Sequence, residues 1–233
     1  MTGLLHTPEK RGFLELAVRR LSAYGLLGPD DEAVVRGLRS SRSLLRPGEV
    51  LIQNAGKLHL VLDGWGCLMS SLPDGRRQIL DLVLPGDPVR NPADVASEQL
   101  WVRWEALTNV ILAEADALND VAAIRTTLQM DREMLLARRC HQIMRLGALT
   151  AYQRIGHLLL ELHARQAEIG MVEGGRFRCP LSQKTIGEVL GLTGAHVNRT
   201  FRQMKADGML AVGEGWLALP DQAALAKQAW FYG

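Results

Sequence analysis

The sequence is short of cysteine, of long apolar runs and of an excess of either charge. Its three cysteines, Cys67, Cys140 and Cys179, are an odd number at wide spacing. They make neither a disulfide framework nor a C-x-x-C metal clip. No apolar run nears the ~18 residues of a membrane span, and the charged start at Glu9, Lys10 and Arg11 precedes no signal-peptide core. A soluble, reduced, cytoplasmic protein is expected. With 27 Lys and Arg against 25 Asp and Glu, the net charge of +2 points to no partner. What is present is enough apolar material, 47%, to build packed cores rather than a disordered chain. At about 150 residues per domain, 233 residues suit two small domains better than one large one.

The even charge hides an asymmetry. Residues 131–233 carry 13 Lys and Arg against nine acids, whereas the remainder carries 14 against 16. A basic C-terminal part behind an acidic N-terminal one hints at a polyanion for the former only, although so small an excess also suits a solvated face. Residues 9–39 read as one or two short helices, with Phe13, Leu16, Ala17 and Leu21 at helical spacing. From Ser43 to about Ala115, short apolar runs alternate with the turn pairs Pro47-Gly48, Asp63-Gly64, Asp74-Gly75 and Pro85-Gly86. That texture indicates an all-β roll or barrel, with a hairpin at Asp74-Gly75.

The pattern after Asp116 is helical to about Gly170. Met130, Met134, Ala137, His141, Met144 and Ala148 step alternately by four and three, a heptad seam that suits pairing with a second copy. Packing within one chain is the alternative. Leu136, Cys140, Ile143 and Gly147 form an adjacent stripe that could face the roll, so the apolar surface is wider than one partner requires. A second helix has Ile155, Leu158, Leu159, Leu162 and Ala164 inward.

Residues 182–205, SQKTIGEVLGLTGAHVNRTFRQMK, carry the strongest signal. Ser182 suits an N-cap, and Ile186, Val189 and Leu190 give a short helix an inner face. Gly191 stops that helix, and Thr193 caps the next, whose inner face is Val197, Phe201 and Met204. This is the helix-turn-helix plan, with the small Gly187 where the helices approach. The outward face then shows Ala195, His196, Arg199, Arg202 and Gln203. Arg suits a bidentate contact with guanine in the major groove, and Gln one with adenine. Runs at 209–212 and 216–219 around Gly213-Glu214-Gly215 predict a β-hairpin wing directly after.

From about Ser43 to Asp221 the chain resembles the Crp-Fnr family of bacterial transcription regulators. The C-terminal resemblance rests on TIGEVLGLTGAHVNRTFRQMKADGML. The N-terminal one rests on LRPGEVLIQNAGKLHLVLDGWGCLMSSLPDGRRQILDLVLPGD, which is similar to a cyclic-nucleotide-type roll. The resemblance implies an α+β fold, with an N-terminal double-stranded β-helix (jelly-roll-like) sensor domain over 1–115. It further implies a long dimerisation helix over 116–150 and a C-terminal winged helix-turn-helix over 151–233. It implies double-stranded DNA, a second copy and RNA polymerase as partners, and no enzyme activity.

Thr193, His196, Arg199, Arg202, Gln203 and Lys205 are the expected DNA-binding residues. Arg199 stands where the family has a base-contacting Arg; a phosphate contact is the alternative. Gly194 and Ala195 replace the Arg and Glu that often read the operator.

Two departures bear on the signal. Cyclic-nucleotide-binding members continue Gly-Asp-x-x-Gly-Glu, whereas here Gly86-Asp87 runs into Pro88-Val89-Arg90-Asn91. Their phosphate-neutralising Arg is replaced by Gln99-Leu100-Trp101, which would leave a buried phosphate uncompensated. Cyclic nucleotide is thus not expected to bind in the usual way. The N-terminal cysteine cluster of iron–sulfur members is absent. Trp101 and Trp104 read as core rather than as a ligand pocket, the cysteines as buried hydrophobes, and His59 and His141 as no haem or metal site. No cofactor and no metal are expected. A ligand-binding or signalling module using its C-terminal domain for protein contacts is the competing reading.

Overall fold

The computed structural model describes residues 12–38, 42–51, 56–90 and 102–232. Gln99-Leu100-Trp101, Asn91 and Ile52 lie outside the described residues. The chain divides into two compact units. The first comprises Met1–Asp74 and Leu82–Leu135; the second comprises Gly75–Asp81 and Leu136–Gly233. Among the described residues, no helix is long and apolar enough to cross a membrane.

The first unit opens with helix α1 (Phe13–Ser22) and helix α2 (Pro29–Arg36). Pro29 stands at the first helical position of α2, where its missing N–H is no loss, and Asp31 Oδ2 accepts from the Gly28 N–H at 2.9 Å. Among the described residues seven strands follow: β1 (Arg42–Leu45), β2 (Leu58–Asp63), β3 (Gly66–Ser71), β4 (Arg77–Val83), β5 (Pro88–Arg90), β6 (Val102–Ala106) and β7 (Val110–Glu114). They form a four-stranded sheet ordered β1-β7-β2-β5 and a three-stranded sheet ordered β4-β3-β6. Strand β4 is divided, since Arg77–Asp81 group with the second unit.

Strand β2 is buried on both faces, which is why residues 58–62 are almost uniformly apolar. Leu58, Leu60 and Leu62 pack on Ala17, Val18 and Leu21 of α1 and on Ile124 and Leu128 further along the chain. Val61 points the other way, into a cluster with Val83, Val89, Trp104, Val110 and Leu112. Trp104 is core, at 1% exposure.

Helix α3 spans Ala122–Ala148. Its inward positions are Ile124, Thr127, Leu128, Asp131, Gln142, Arg145 and then Leu149, a face that includes four polar residues. Leu136, Cys140, Ile143 and Gly147 are all exposed, Leu136 at 58% and Ile143 at 71%. At about 100° per residue they sit about 150° around the helix from the buried side chains, which accounts for their exposure. Cys140 is therefore no buried hydrophobe, unlike Cys67 and Cys179. Of the heptad seam, Met130, Met134 and Ala148 are exposed, while Ala137, His141 and Met144 are half-buried.

One buried ionic cluster joins the pieces of this unit. Arg20 of α1 pairs with Asp87, just after Pro85-Gly86, with Nε to Oδ1 at 3.4 Å, and with Asp131 of α3. The Tyr24 hydroxyl accepts from Arg20 Nη2 at 3.2 Å and lies 3.2 Å from Asp131 Oδ1. Asp87 also accepts from the Leu84 N–H at 2.8 Å. Burial opposes the charge on Arg20, but Asp87 and then Asp131 outweigh it and hold the guanidinium pKa above its ordinary value. Removing the cation leaves two buried carboxylates without the charge that balances them. Arg20→Ala is expected to lower stability by about 3–5 kcal/mol, read from urea unfolding; a loss below ~1 kcal/mol would refute that role.

Candidate nucleic-acid interface

The second unit is built on helix α4 (Ala151–Glu168). Thr150 caps it, and the Gln153 side chain returns to the Thr150 N–H at 3.0 Å, a reciprocal capping box. Ile155, Leu158, Leu159 and Leu162 are buried; Ala164, expected inward, is exposed. Strand β8 (Arg176–Arg178) and the last helix, α7 (Gln222–Ala229), are elements for which the sequence reading made no provision.

Helix α5 (Gln183–Leu190) and helix α6 (Gly194–Ala206) form the helix-turn-helix. The Ser182 hydroxyl accepts from the Thr185 N–H at 3.0 Å, and the Thr193 hydroxyl from the His196 N–H at 3.2 Å. Gly191 ends α5 at φ +64°, a left-handed conformation that favours glycine. At Gly187 the constraint is space, since a Cβ there would lie 2.3 Å from the Leu192 carbonyl oxygen. Val197, Phe201 and Met204 are buried as the periodicity predicts. Thr200, an unusual inner residue, is also buried and satisfies its hydroxyl by donating to the His196 carbonyl at 3.0 Å.

The six expected DNA-binding residues fall on one capped helix. Thr193, Arg199, Arg202, Gln203 and Lys205 are exposed, and His196 is half-buried. Beside them, strands β9 (Ala211–Gly213) and β10 (Trp216–Ala218) pair antiparallel, and β8 adds a third strand in the order β8-β10-β9. The Arg176 guanidinium carbon lies 4.4 Å from the centre of the Trp216 ring, stiffening this wing. A groove of about 450 Å³ separates α6 from the wing, lined by Ser182, Gln183, Asn198, Arg202, Lys205 and Trp216 among others. Gln183 and Asn198 were missed by the sequence reading; Asn198 Nδ2 donates to Gln183 Oε1 at 3.0 Å and ties the two helices together. Cys179 also lines the groove, and burial pushes its thiol up to about 11, so it is no thiolate nucleophile at neutral pH.

Below the two helices lies a polar cluster that periodicity alone does not reveal. Arg145 Nε donates to His157 Nδ1 at 3.1 Å, Arg145 Nη1 donates to Gln142 Oε1 at 3.0 Å, and Arg145 also pairs with Glu161. The rings of His141 and Phe231 meet His157 edge-on at 5.2 and 5.0 Å. Burial, then the Arg145 charge, push His157 down to about 4. Among the described residues no group of three His, Cys, Asp or Glu side chains could hold a metal ion.

Two helices locked at a glycine turn, a basic outer face and a β wing define a winged helix-turn-helix DNA-binding protein. Residues 153–228 match the family model of the Crp-like helix-turn-helix domain. The chain is 28% identical over 184 residues to the nitrogen fixation regulation protein FixK of Azorhizobium caulinodans, covering 75% of this chain and 72% of that protein. It is 27% identical over 196 residues to the transcriptional activator protein FnrL of Cereibacter sphaeroides, covering 78% and 77%. Among solved structures, FixK2 from Bradyrhizobium japonicum matches with a TM-score of 0.66 at 25% identity, over 82% of this chain and 98% of that one. A Crp/Fnr-family regulator from Thermus thermophilus shares the fold, with a TM-score of 0.59 at 21% identity over 83% of this chain and 100% of that one. Residues 153–228 thus form a Crp-like helix-turn-helix domain, and the chain is a DNA-binding transcriptional regulator similar to those of the Crp-Fnr type. These relatives do not favour a protein-contact module.

The buried imidazole makes stability depend on pH. His157 is neutral in the fold, with its pKa lowered from 6.5 to about 4, so the unfolded chain binds the extra proton between those values. Its contribution is fully present above pH 6.5 and is lost as pH falls toward about 4. In urea titrations across that window, His157→Gln is expected to flatten the fall in stability; an unchanged slope would remove His157 as its source.

Proposed function

We propose that this regulator acts as a homodimer that sets the α6 helices of two copies into successive major grooves of a near-palindromic site, about 34 Å apart. In this reading Arg199 contacts a base, with Gln203 and His196 beside it. Thr193, Arg202 and Lys205 serve the phosphate backbone. The observation that carries it is α6 itself: its back is buried at Val197, Thr200, Phe201 and Met204, while Arg199, Arg202 and Gln203 stand exposed together. Residues 1–115 are a roll-type sensor domain, 116–150 a dimerisation helix and 151–233 the DNA-binding domain. The protein works in the cytoplasm with RNA polymerase and has no enzyme activity. Cyclic nucleotide is not its signal, because the chain after Gly86-Asp87 is committed to strand β5, paired with β2, and lacks the Gly-Glu pair.

Mobility shifts on the DNA upstream of its own gene test this at two salt concentrations. Arg199→Ala is expected to cost about 1–3 kcal/mol on the specific site and little on random DNA. Equal losses on both would make Arg199 a phosphate contact. Added cAMP is expected to leave the shift unchanged.

The second copy is expected to cover the outer stripe of α3. Leu136, Cys140 and Ile143 are apolar and exposed there, whereas Met130 and Met134 are exposed on a different face of the helix. Ile143→Glu is expected to turn a dimer into a monomer in sedimentation at micromolar concentration. A dimer that survives this substitution would move the contact to the Met130 and Met134 side.

A further inference from the structure

The last four carbonyls of a helix have no partner within it. In α5 these are Gly187, Glu188, Val189 and Leu190. The Gly187 carbonyl accepts from the N–H groups of Gly191 and Leu192, the second at 3.0 Å. The other three are met by side chains from three separate segments of the second unit. Gln78 Nε2 lies 2.9 Å from the Glu188 oxygen and 3.0 Å from that of Val189. Gln142 Nε2, on the last turns of α3, also donates to the Val189 carbonyl. Arg154 Nη1 of α4 donates to the Leu190 carbonyl at 3.1 Å.

These donors are themselves held in place. Arg145 grips the Gln142 amide oxygen, which turns the amide nitrogen toward Val189, and Glu161 and His157 hold Arg145. Arg77 Nε sits 3.6 Å from Glu188 Oε2, beside the Gln78 contact. The donors face the electronegative end of the helix, where each opposes its dipole. Because α5 and α6 touch without slack at Gly187, the end of α5 cannot shift without carrying α6 along.

We propose that Gln78 and Gln142 are positioning residues for DNA recognition: they fix the end of α5, and through the Gly191 turn they set the pose of α6. The segment Gly75–Asp81 and the end of α3 thereby gain control over how α6 meets the groove. The idea rests on the DNA-binding reading above and adds to it the place where that binding is regulated.

The test uses the full chain with Gln78→Met and Gln142→Met, side chains of similar length that pack but donate nothing. Affinity is measured on the specific site and on a random duplex of equal length, with thermal unfolding alongside. Each single variant is expected to lose about five- to tenfold on the specific site and nothing on the random duplex. The double variant is expected to lose less than the product of the two, since both donors share the Val189 carbonyl. Gln78 is half-buried, so its variant keeps the test decisive if Gln142→Met does not fold. A lower unfolding temperature with unchanged specific affinity, or equal losses on both duplexes, overturns the proposal. A wild-type protein that fails to distinguish its site from random DNA removes the DNA-recognition reading instead.

Discussion

The approach of α5 to α6 at Gly187 is the constraint on which the DNA-facing half depends. No side chain larger than hydrogen fits against the Leu192 carbonyl, so the two helices meet backbone to backbone. The turn at Gly191, the cap at Thr193 and the buried row from Val197 to Met204 all follow from that closeness. The exposed row of Arg199, Arg202 and Gln203 is then displayed on a helix packed directly against α5. A base contact needs that support, because bidentate recognition is lost when the donor plane tilts.

Among the described residues each unit also buries an arginine that faces carboxylate, Arg20 in one and Arg145 in the other. Arg20 joins α1, the turn at Asp87 and α3. Arg145 joins the end of α3 to α4 and, through Gln142, to α5. Such pairs add little net stability over a well-packed apolar substitute, but they accept only one geometry. In both units, then, the long helix is placed by a directional polar contact as well as by apolar packing. The Gly86-Asp87 turn is in this way tied to holding Arg20.

Much of this was legible in the sequence, and the reason is local. Glycine turns, caps and apolar periodicity are written within a few residues of where they act, so the alternation of strands and the pair 182–206 could be read directly. What escaped was set at long range. The outward turn of Leu136, Cys140 and Ile143 depends on which face of α3 the rest of the chain covers, and both stripes are apolar. The donors Gln78, Gln142 and Arg154 lie 110, 47 and 36 residues from the carbonyls they meet. Nothing in their own neighbourhoods marks them, except that Gln142 and Arg145 are polar at inward helical positions. Asn198 and Gln183, 15 residues apart on two helices, escaped for the same reason.

Strand β4 bears on how such a regulator can be rebuilt. Its first five residues group with the DNA-facing unit and its last two with the other. The boundary therefore runs through a strand as well as through α3, and the two halves are not cassettes joined by a linker. A chimaera spliced within α3 would import a foreign residue at position 78 along with the new N-terminal half. The borrowed strand would then face an α5 whose carbonyls it had not evolved to meet. If Gln78 has the positioning role proposed for it, such a splice would keep specific DNA affinity only where the incoming strand supplies a matching donor to the Glu188 and Val189 carbonyls.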